Sequence, residues 1–322
     1  MTAAIALVSA REALPLDEDM PLLVPALESL GARVDTPAWD DAAVDWARYD
    51  VAVLRSTWDY VERIDEFLAW AERTSAATRL CNAPPVVRWN TDKHYLAHFE
   101  RRGVAVVPTR FVEPGADADA EIAAFLAGGA GSLSAGAPTD FDTFVVKPSI
   151  GAGSRDAARY RREDAGAALD HLRRLVTAEG RSAMLQPYLD RVDDVGETAL
   201  LYFDGEYSHS IRKGPLLRVG TGLVAGLFAP EQITPREPDA AERKLATAAC
   251  AALPFATPLY VRVDLIRDQQ GHPVVLEVEM TEPSVFLLQA PPAAQRFARA
   301  ILRRCAGRQN QPERNSRNTS AS

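Results

Sequence analysis

The stretch from Tyr260 to Met280 constrains the fold most, because it predicts two alternating strands joined by a short turn. Side chains alternate between the two faces of a strand, so valines and leucines line one face of this hairpin. The other face carries Arg262, Asp264, Glu277 and Glu279. The hairpin therefore predicts a sheet that buries one side and presents an arginine and three carboxylates on the other.

The three carboxylates of this hairpin would repel one another and raise one another's pKa, so we expect a cation among them. Mg²⁺ suits a site that offers only oxygen, and it takes one or two carboxylates together with substrate phosphates. The hairpin is therefore a candidate magnesium site. The alternative is a solvated strand face on which Arg262 pairs with Glu277.

A glycine-containing loop follows another predicted strand. This strand ends at Lys147, and Gly151 and Gly153 follow it closely. Glycine lets backbone N–H groups approach a polyphosphate, and the lysine supplies a point charge. The loop is not a Walker A loop, because Gly-Lys-Ser/Thr is absent and residues 157–161 are predicted to be extended. Taken alone, an ordinary hairpin turn would have a similar composition.

Two further segments lie between this loop and the acidic hairpin. Residues 183–189 predict a strand that leads into a proline-bearing connector, whose backbone N–H and C=O groups suit an adenine edge. Asp204 and Gly205 between apolar runs predict a β-hairpin. Its return strand ends at Arg212 and Lys213, which are placed to meet a phosphate or a carboxylate, or are plain surface charges.

The order of these features resembles the ATP-grasp superfamily, in which ATP lies between two α+β subdomains under a glycine-rich loop. The resemblance covers residues 91–290 and rests on Lys93, Lys147 with its glycines, Gln186-Pro187-Tyr188, Arg212-Lys213, Asp264 and Glu277-x-Glu279. It implies an α/β and α+β fold, in which a small parallel-sheet domain precedes the ATP-grasp module. The expected domains are a substrate-side α/β domain at 1–90, a first subdomain with the glycine-rich loop at 91–185, a second subdomain with the metal site at 186–306 and a disordered tail at 307–322.

The resemblance also implies roles for individual residues. The implied ligands of Mg²⁺, with two ions expected, are Asp264, Glu277 and Glu279. Many members have Glu-x-Asn at the last two positions, so Glu279 adds a negative charge here. The implied catalytic residues are Lys147, Arg212 and Lys213. The residues implied to bind ATP are Lys93, Lys147, Ser149, Gly151, Gly153, Ser154, Gln186, Tyr188, Leu189 and Glu197.

The N-terminal region predicts alternating strands and helices, with strands at 5–8, 33–36 and 51–54. Such alternation indicates a small parallel sheet, whose ligands bind at the carboxyl ends of its strands. The third strand runs into a polar and aromatic loop, from which we expect Arg55, Thr57 and Asp59 to grip the amino-acid end of a substrate. The alternative is an Arg55–Asp59 ion pair, with Trp58 covering a core edge.

Within the superfamily, three segments resemble ligases of the D-cycloserine synthetase kind: Asp17-Glu18-Asp19, the loop from Arg55 to Tyr60, and Glu277-x-Glu279-x-x-Glu282-Pro283-Ser284. The resemblance adds Glu282 and Ser284 to the expected substrate residues. It implies that ATP converts the carboxylate of O-ureido-D-serine into an acyl phosphate. The substrate's own nitrogen would then close the ring to give the antibiotic D-cycloserine, with loss of carbon dioxide and ammonia.

Other functions compete with this one. A ligase that joins a carboxylate to a separate amine, as in dipeptide or glutathione-like synthesis, would need a second substrate. A nucleotide-binding module without catalysis would not need the lysines and carboxylates. A zinc hydrolase is suggested only by His94 and His98, which lie one helical turn apart without an evident third ligand.

Bulk properties exclude several classes of partner. The chain has 36 basic and 44 acidic residues, and this net charge of -8 disfavours nucleic acid and anionic membranes. Residues 2–10 are apolar but lack a basic leader, so they predict a first strand and not a signal peptide. Three distant cysteines fit no disulfide framework and favour a reducing cytoplasm. The expected partner is a small amino-acid-like molecule, and the oligomeric state stays open, a homodimer included.

Overall fold

The computed structural model describes residues 2–128, 141–220 and 232–306. Within these ranges the chain forms three sheets, of four, five and four strands. The predicted tail at 307–322 and almost all of the predicted loop at 128–138 lie outside the described residues.

The first sheet is parallel, as predicted, and its strand order is β2-β1-β3-β4. Every residue of β1 and β3 is buried, as expected when helices cover both faces of a parallel sheet. The elements are β1 (Ala4–Val8), α1 (Met20–Ser29), β2 (Arg33–Asp35), β3 (Val51–Leu54), α2 (Ile64–Ala77), β4 (Arg79–Cys81) and α3 (Pro84–Asn90). The carboxyl ends of β1 and β3 point toward the rest of the molecule.

The second unit is an antiparallel sheet of order β5-β8-β6-β7 with helices packed on it. Its elements are β5 (Arg110–Val112), α5 (Ala118–Leu126), β6 (Thr143–Pro148), β7 (Ala158–Arg161), α6 (Ala165–Arg173) and β8 (Ala183–Pro187). Helix α4 (Tyr95–Arg101) precedes them in the chain, but its buried side chains belong to the core of the five-stranded sheet. A π-helical turn, Arg174–Ala178, continues α6.

The sequence from Thr91, a possible cap residue, to Arg102, just before Gly103, predicts a single helix. This prediction is wrong at its start, because α4 begins only at Tyr95. The Asp92 side chain accepts the N–H of His94 at 3.1 Å, and such local side-chain bonds compete with helix formation. The Lys93 N–H instead donates to the carbonyl of Ser149 at 3.0 Å. This non-helical turn joins Lys93 to the glycine-containing loop.

The third unit is an antiparallel sheet of order β11-β10-β9-β12-β13. Its elements are α7 (Arg191–Val195), β9 (Glu197–Phe203), β10 (Glu206–Lys213), β11 (Ile233–Pro235), α8 (Ala240–Ala251), β12 (Tyr260–Arg267), β13 (Pro273–Glu279) and α9 (Pro292–Ala306). Asp204 and Gly205 form the predicted turn, with φ values of +54 and +85. Both predicted hairpins are therefore present.

The last helix returns to the first sheet. Phe297 and Ile301 of α9 are fully buried in one core cluster with Leu23 of α1 and Val53 of β3. Residues from β9 and β12 complete that cluster, so the N-terminal sheet and the third unit share a core. The domain limits near residues 90 and 185 stay predictions. Within the described ranges, no helix is both long and apolar enough to cross a membrane.

Candidate active site

A cavity of about 580 Å³ lies where the three units meet. The glycine-containing loop and the end of β8 line one side, and β12, β13 and the end of β10 line the other. Residues before α1 and after β3 close one end, together with the segment that follows β13. The cavity therefore has a nucleotide-sized groove between two sheets and a separate end beside the parallel sheet.

Two lysines line the groove on the side of the glycine-containing loop, the buried Lys93 and the half-buried Lys147. Lys93 donates to the carbonyl of Gly151 at 2.8 Å and pairs with Glu277 at 3.0 Å. Burial lowers the pKa of Lys147 to about 8, and nearby Lys93 adds to this effect. Both ammonium groups are therefore held close together on the cavity wall, where only a strongly anionic ligand would match them.

The three carboxylates of the β12–β13 hairpin converge in the cavity, and protein cations hold them. Asp264 accepts from Lys213 at 2.7 Å and from Arg262 at 2.9 Å. Burial by itself would raise the pKa of Asp264, but Arg262 and Lys213 outweigh it and hold the pKa below its usual value. The alternative Arg262–Glu277 pair does not form, because Arg262 binds Asp264 and Glu279.

The pKa of Glu279 is raised, whereas the pKa values of Asp264 and Glu277 are lowered. Burial, Glu277 and Asp264 raise the pKa of Glu279, although Arg262 contacts it. The cluster offers only oxygen donors, so it fits Mg²⁺ by chemistry. No group of three or more such side chains in the described part of the chain is already arranged to hold a metal ion.

The apolar part of the groove lies beside the end of β8. Val107, Val145, Ile266 and Leu276 line it together with residues 186–189. The buried Gln186 donates to Thr109 at 2.8 Å, which fixes the start of this connector. A flat apolar slot with backbone groups at its edge can bind a heteroaromatic ring.

The glycine-containing loop covers the groove. Gly153 and Ser154 have φ values of +62 and +59, so two successive residues adopt the left-handed region. Arg155 forms an ion pair with Glu62 of the N-terminal unit at 2.6 Å. Ser149 does not line the cavity, and its side chain bonds to Asp92. The contact of Ser149 with ATP stays a prediction, which the cavity lining does not support.

Arg212 and Lys213 have different positions, because adjacent residues of a strand face opposite sides. Lys213 is buried on the cavity wall, where it pairs with Asp264 and Glu197. Arg212 donates to the carbonyl of Val195 at 2.8 Å and lies outside the cavity lining. In this structure Arg212 therefore caps the end of α7, and its catalytic role stays a prediction.

The predicted substrate residues Arg55, Thr57 and Asp59 lie behind the cavity wall. The Arg55 side chain is 1% exposed and pairs with Asp19 at 3.1 Å, and Thr57 is fully buried. Asp59 accepts from Trp39 at 2.8 Å and from Arg63 at 2.9 Å, so the alternative Arg55–Asp59 pair is absent as well. Direct contact of these three side chains with a substrate stays a prediction, which the cavity lining does not support.

Glu282 stands at the closed end of the cavity. Burial and Glu279 raise the pKa of Glu282 to about 8, and Tyr60 donates to its carboxyl group. Trp58 donates to the Glu282 carbonyl at 3.1 Å. A carboxyl group on the cavity wall, with the aromatic residues Trp58 and Tyr60 lining the same end, could bind the ammonium group of an amino acid.

The predicted site residues that do line the cavity are Lys93, Lys147, Gly151, Gly153, Ser154, Gln186, Tyr188, Leu189, Glu197, Lys213, Asp264, Glu277, Glu279, Glu282 and Ser284. The two histidines weighed as zinc ligands are engaged elsewhere. His94 binds Asp92 and Glu113 at 2.6 and 2.8 Å, and His98 donates to the carbonyl of Ala252 at 2.8 Å.

Known proteins resemble this chain along almost its whole length. The family model described as "D-cycloserine synthetase DcsG, N-terminal domain" matches residues 5–82. The cycloserine biosynthesis protein DcsG of Streptomyces lavendulae is 43% identical over 306 residues, which are 93% of this chain and 98% of that protein. The chain belongs to the D-cycloserine synthetase family of ATP-grasp ligases.

Solved structures agree with this assignment. A crystal structure of D-cycloserine synthetase DcsG has a TM-score of 0.86 at 42% identity and covers 94% of this chain and 100% of that one. A D-alanine–D-alanine ligase from Bacillus anthracis has a TM-score of 0.66 at 15% identity, over 95% of this chain and 98% of that one, and shares the fold. The predicted ATP-grasp fold and the prediction of an ATP-dependent ligase that forms C–N bonds are confirmed.

Sequence reasoning missed several cavity residues of this D-cycloserine synthetase family member. They are Glu18, Trp58, Tyr60, Arg262, Phe286 and Gln289. Arg262 could have been found, because it shares the polar face of the hairpin with the three carboxylates. The others lie in irregular segments, where alternation gives no direction to a side chain.

Proposed function

We propose that this D-cycloserine synthetase family member uses ATP to cyclise O-ureido-D-serine to D-cycloserine. The observation that carries the proposal is the 43% identity to DcsG over 98% of that protein. The cavity supports it, because the groove between the sheets ends at Glu282, Tyr60 and Trp58 beside the acidic hairpin. One closed cavity end leaves room for a single small amino acid next to the nucleotide.

ATP would lie in the groove, with its adenine ring beside residues 186–189 and its phosphates under the glycine-containing loop. Asp264, Glu277 and Glu279 would hold Mg²⁺, and we propose two ions. The metal would supply positive charge to the phosphates during transfer. Lys93 and Lys147 would bind the same phosphates from the opposite sheet, so the transferring group would meet fixed charges on both sides.

The reaction needs no protein nucleophile. The γ-phosphoryl group of ATP moves to a carboxylate oxygen of the substrate, which gives an acyl phosphate and leaves ADP. The ureido nitrogen bound to oxygen then attacks the carbonyl carbon, and the C–O bond to phosphate breaks. Hydrolytic loss of the carbamoyl group as carbon dioxide and ammonia leaves the ring. Arg262 and Lys213 stand nearest to the carboxylates and would stabilise the negative charge that develops on the substrate.

Measuring ADP release from Mg-ATP tests this proposal, with O-ureido-D-serine offered alone. Turnover on this single substrate, abolished in Lys147→Ala and Glu277→Ala, supports cyclisation. Lys244→Ala and Glu163→Ala are matched controls, because both side chains are exposed and distant from the cavity lining. If no ADP is released with O-ureido-D-serine but ADP is released with a carboxylate and a separate amine, cyclisation is refuted. The enzyme would then be an intermolecular ligase.

A further inference from the structure

The segment from Thr281 to Leu287, here named the substrate segment, follows β13 and belongs to no strand or helix. It carries Glu282, Ser284 and Phe286 on the cavity wall. Buried backbone groups need hydrogen-bond partners, and this segment has no neighbouring strand to supply them. The hydrogen-bond partners of its backbone therefore determine the positions of its side chains.

Side chains from other parts of the fold bind the five backbone carbonyls of residues 281–285 and the N–H groups of Val285 and Leu287. The carbonyl of Thr281 accepts from Tyr260 at 2.7 Å, and that of Val285 is bound by His209 at 2.8 Å. Arg262 donates to the carbonyl of Ser284 at 3.1 Å. The segment is thus fixed by side chains whose own positions are set by the sheets.

Asp19 and Arg55 of the N-terminal unit contribute the largest share of these bonds. One carboxylate oxygen of Asp19 accepts the N–H of Val285 at 2.7 Å, and the other accepts the N–H of Leu287 at 2.6 Å. Arg55 donates to the carbonyl of Pro283 at 3.1 Å and to Asp19 at 3.1 Å. The two buried side chains pair with each other and bind the backbone of the residues on both sides of Ser284, Pro283 and Val285.

The backbone conformation of Phe286 shows why the hydrogen bonds from Asp19 are needed. This residue has φ +53, a left-handed conformation that costs free energy for any residue with a Cβ. The amides on both sides of Phe286 are the two that bind Asp19. Asp19 therefore holds a local conformation that the chain would not adopt by itself, and it turns the Phe286 ring toward the cavity.

We propose that Asp19 and Arg55 are positioning residues, which fix the substrate segment and thereby set the affinity for the amino-acid substrate. The inference rests on the proposed function, because the substrate segment is taken to line the amino-acid end of the cavity. Arg55 lies outside the cavity lining, and Asp19 lines the cavity beside the substrate segment with both carboxylate oxygens bound to backbone amides. We expect neither residue to act on ATP, because the groove for the nucleotide is at the other end. Specificity thus depends on a contact between regions 266 residues apart in sequence.

Replacing Asp19 by asparagine tests this role with little change in shape. The amide –NH₂ group would face either an amide of the substrate segment or Arg55, so one donor would oppose another. We expect the KM for O-ureido-D-serine to rise about tenfold or more, with the KM for ATP changed less than about twofold. Arg55→Lys keeps the charge but loses one of the two bonds, and we expect a smaller change in the same direction.

Asp50→Asn is the matched control, because Asp50 also accepts a backbone N–H, that of Ala4 at 2.8 Å, at the opposite edge of the same sheet. Equal changes in both KM values, or an Asp50→Asn variant that behaves like Asp19→Asn, would show a general structural role and overturn the proposal. If O-ureido-D-serine is not turned over by the wild type, the proposed function fails. The KM comparison then uses the amino acid that does support ADP release.

Hydrogen exchange supplies a test that needs no substrate and no folded variant. In the wild-type protein, the amides of Val285 and Leu287 should exchange as slowly as those of buried strands, because a buried carboxylate holds them. Exchange as fast as in an exposed loop would overturn the proposal. In Asp19→Asn, faster exchange should be confined to the substrate segment, and the affinity for Mg-ADP should stay unchanged.

Discussion

Replacing Gly196 with alanine tests whether the backbone after α7 holds Lys213 in the cavity. Gly196 has φ +77 and ψ -176, a region that essentially only glycine occupies. A Cβ atom at this position would lie 2.5 Å from the carbonyl oxygen of Lys213 and 2.7 Å from Nε of Arg212. The first of these neighbours is backbone, so the ends of β9 and β10 must move apart.

The structure gives the size of this effect. The unfavourable backbone conformation costs about 1–3 kcal/mol. The close contact adds about 1–3 kcal/mol, as in other overpacked interiors. Gly180 provides the matched control, because its φ is +63 but nothing lies within 4 Å of an added Cβ. Gly180→Ala therefore carries a conformational cost without a close contact, and Gly196→Ala should exceed it by the cost of the contact together with that of the glycine-only conformation.

Thermal unfolding and steady-state kinetics together check the prediction. We expect Gly196→Ala to unfold several degrees below Gly180→Ala. Lys213 lies 2.7 Å from Asp264, and a displacement of the strand end lengthens that ion pair. Misplacing a charged group beside the phosphates should lower kcat/KM for ATP by about tenfold, with Gly180→Ala unchanged. Equal unfolding temperatures, or wild-type kcat/KM in Gly196→Ala, would refute the reasoning.

Two further predictions concern the core and the pH dependence of stability. Phe297 is fully buried and stacks on Phe203 with ring centroids 4.4 Å apart, so Phe297→Ala should lower the free energy of unfolding by about 3–5 kcal/mol in urea titrations. Leu30→Ala, at a partly exposed helix end, should change it by less than about 0.5 kcal/mol, and similar losses in both would contradict the assigned core. The hydrogen bond to Asp92 raises the pKa of His94 above the ordinary 6.5, and Glu113 adds to this. This stabilisation is fully present below pH 6.5 and is lost as the pH rises through the folded-state pKa, so His94→Gln should destabilise the protein at about pH 6 and not at about pH 9. If His94→Gln lowered the free energy of unfolding equally at both pH values, the pairing of protonated His94 with Asp92 and Glu113 would be contradicted.

Alternation made the acidic hairpin the most predictable part of the site. Side chains in β12 and β13 must face one side or the other, so the convergence of Asp264, Glu277 and Glu279 follows from their spacing. The register pairs Asp264 with Glu277 and Arg262 with Glu279. What the spacing could not supply was the identity of the neutralising cations, because Lys93 and Lys213 arrive from distant parts of the chain.

The N-terminal loop was predicted less well, for a physical reason. Once β3 ends at Leu54, the chain no longer alternates, so the sequence does not say which side chains face the cavity. The structure turns Arg55 inward to Asp19 and leaves Trp58 and Tyr60 on the wall. The partners of Arg55 are Asp19 and Pro283, and no local pattern predicts a contact across such a separation.

Lys93 connects the parts of the cavity that the proposed reaction must bring together. An ammonium group has three donors, and Lys93 uses one on the carbonyl of Gly151 and another on Glu277. The glycine-containing loop and the acidic hairpin are therefore joined through one side chain, with one donor left for a phosphate. Because the protein already fixes that lysine from both sides, a phosphate that meets it would bind a charge held in place, which is the arrangement that stabilises phosphoryl transfer most effectively.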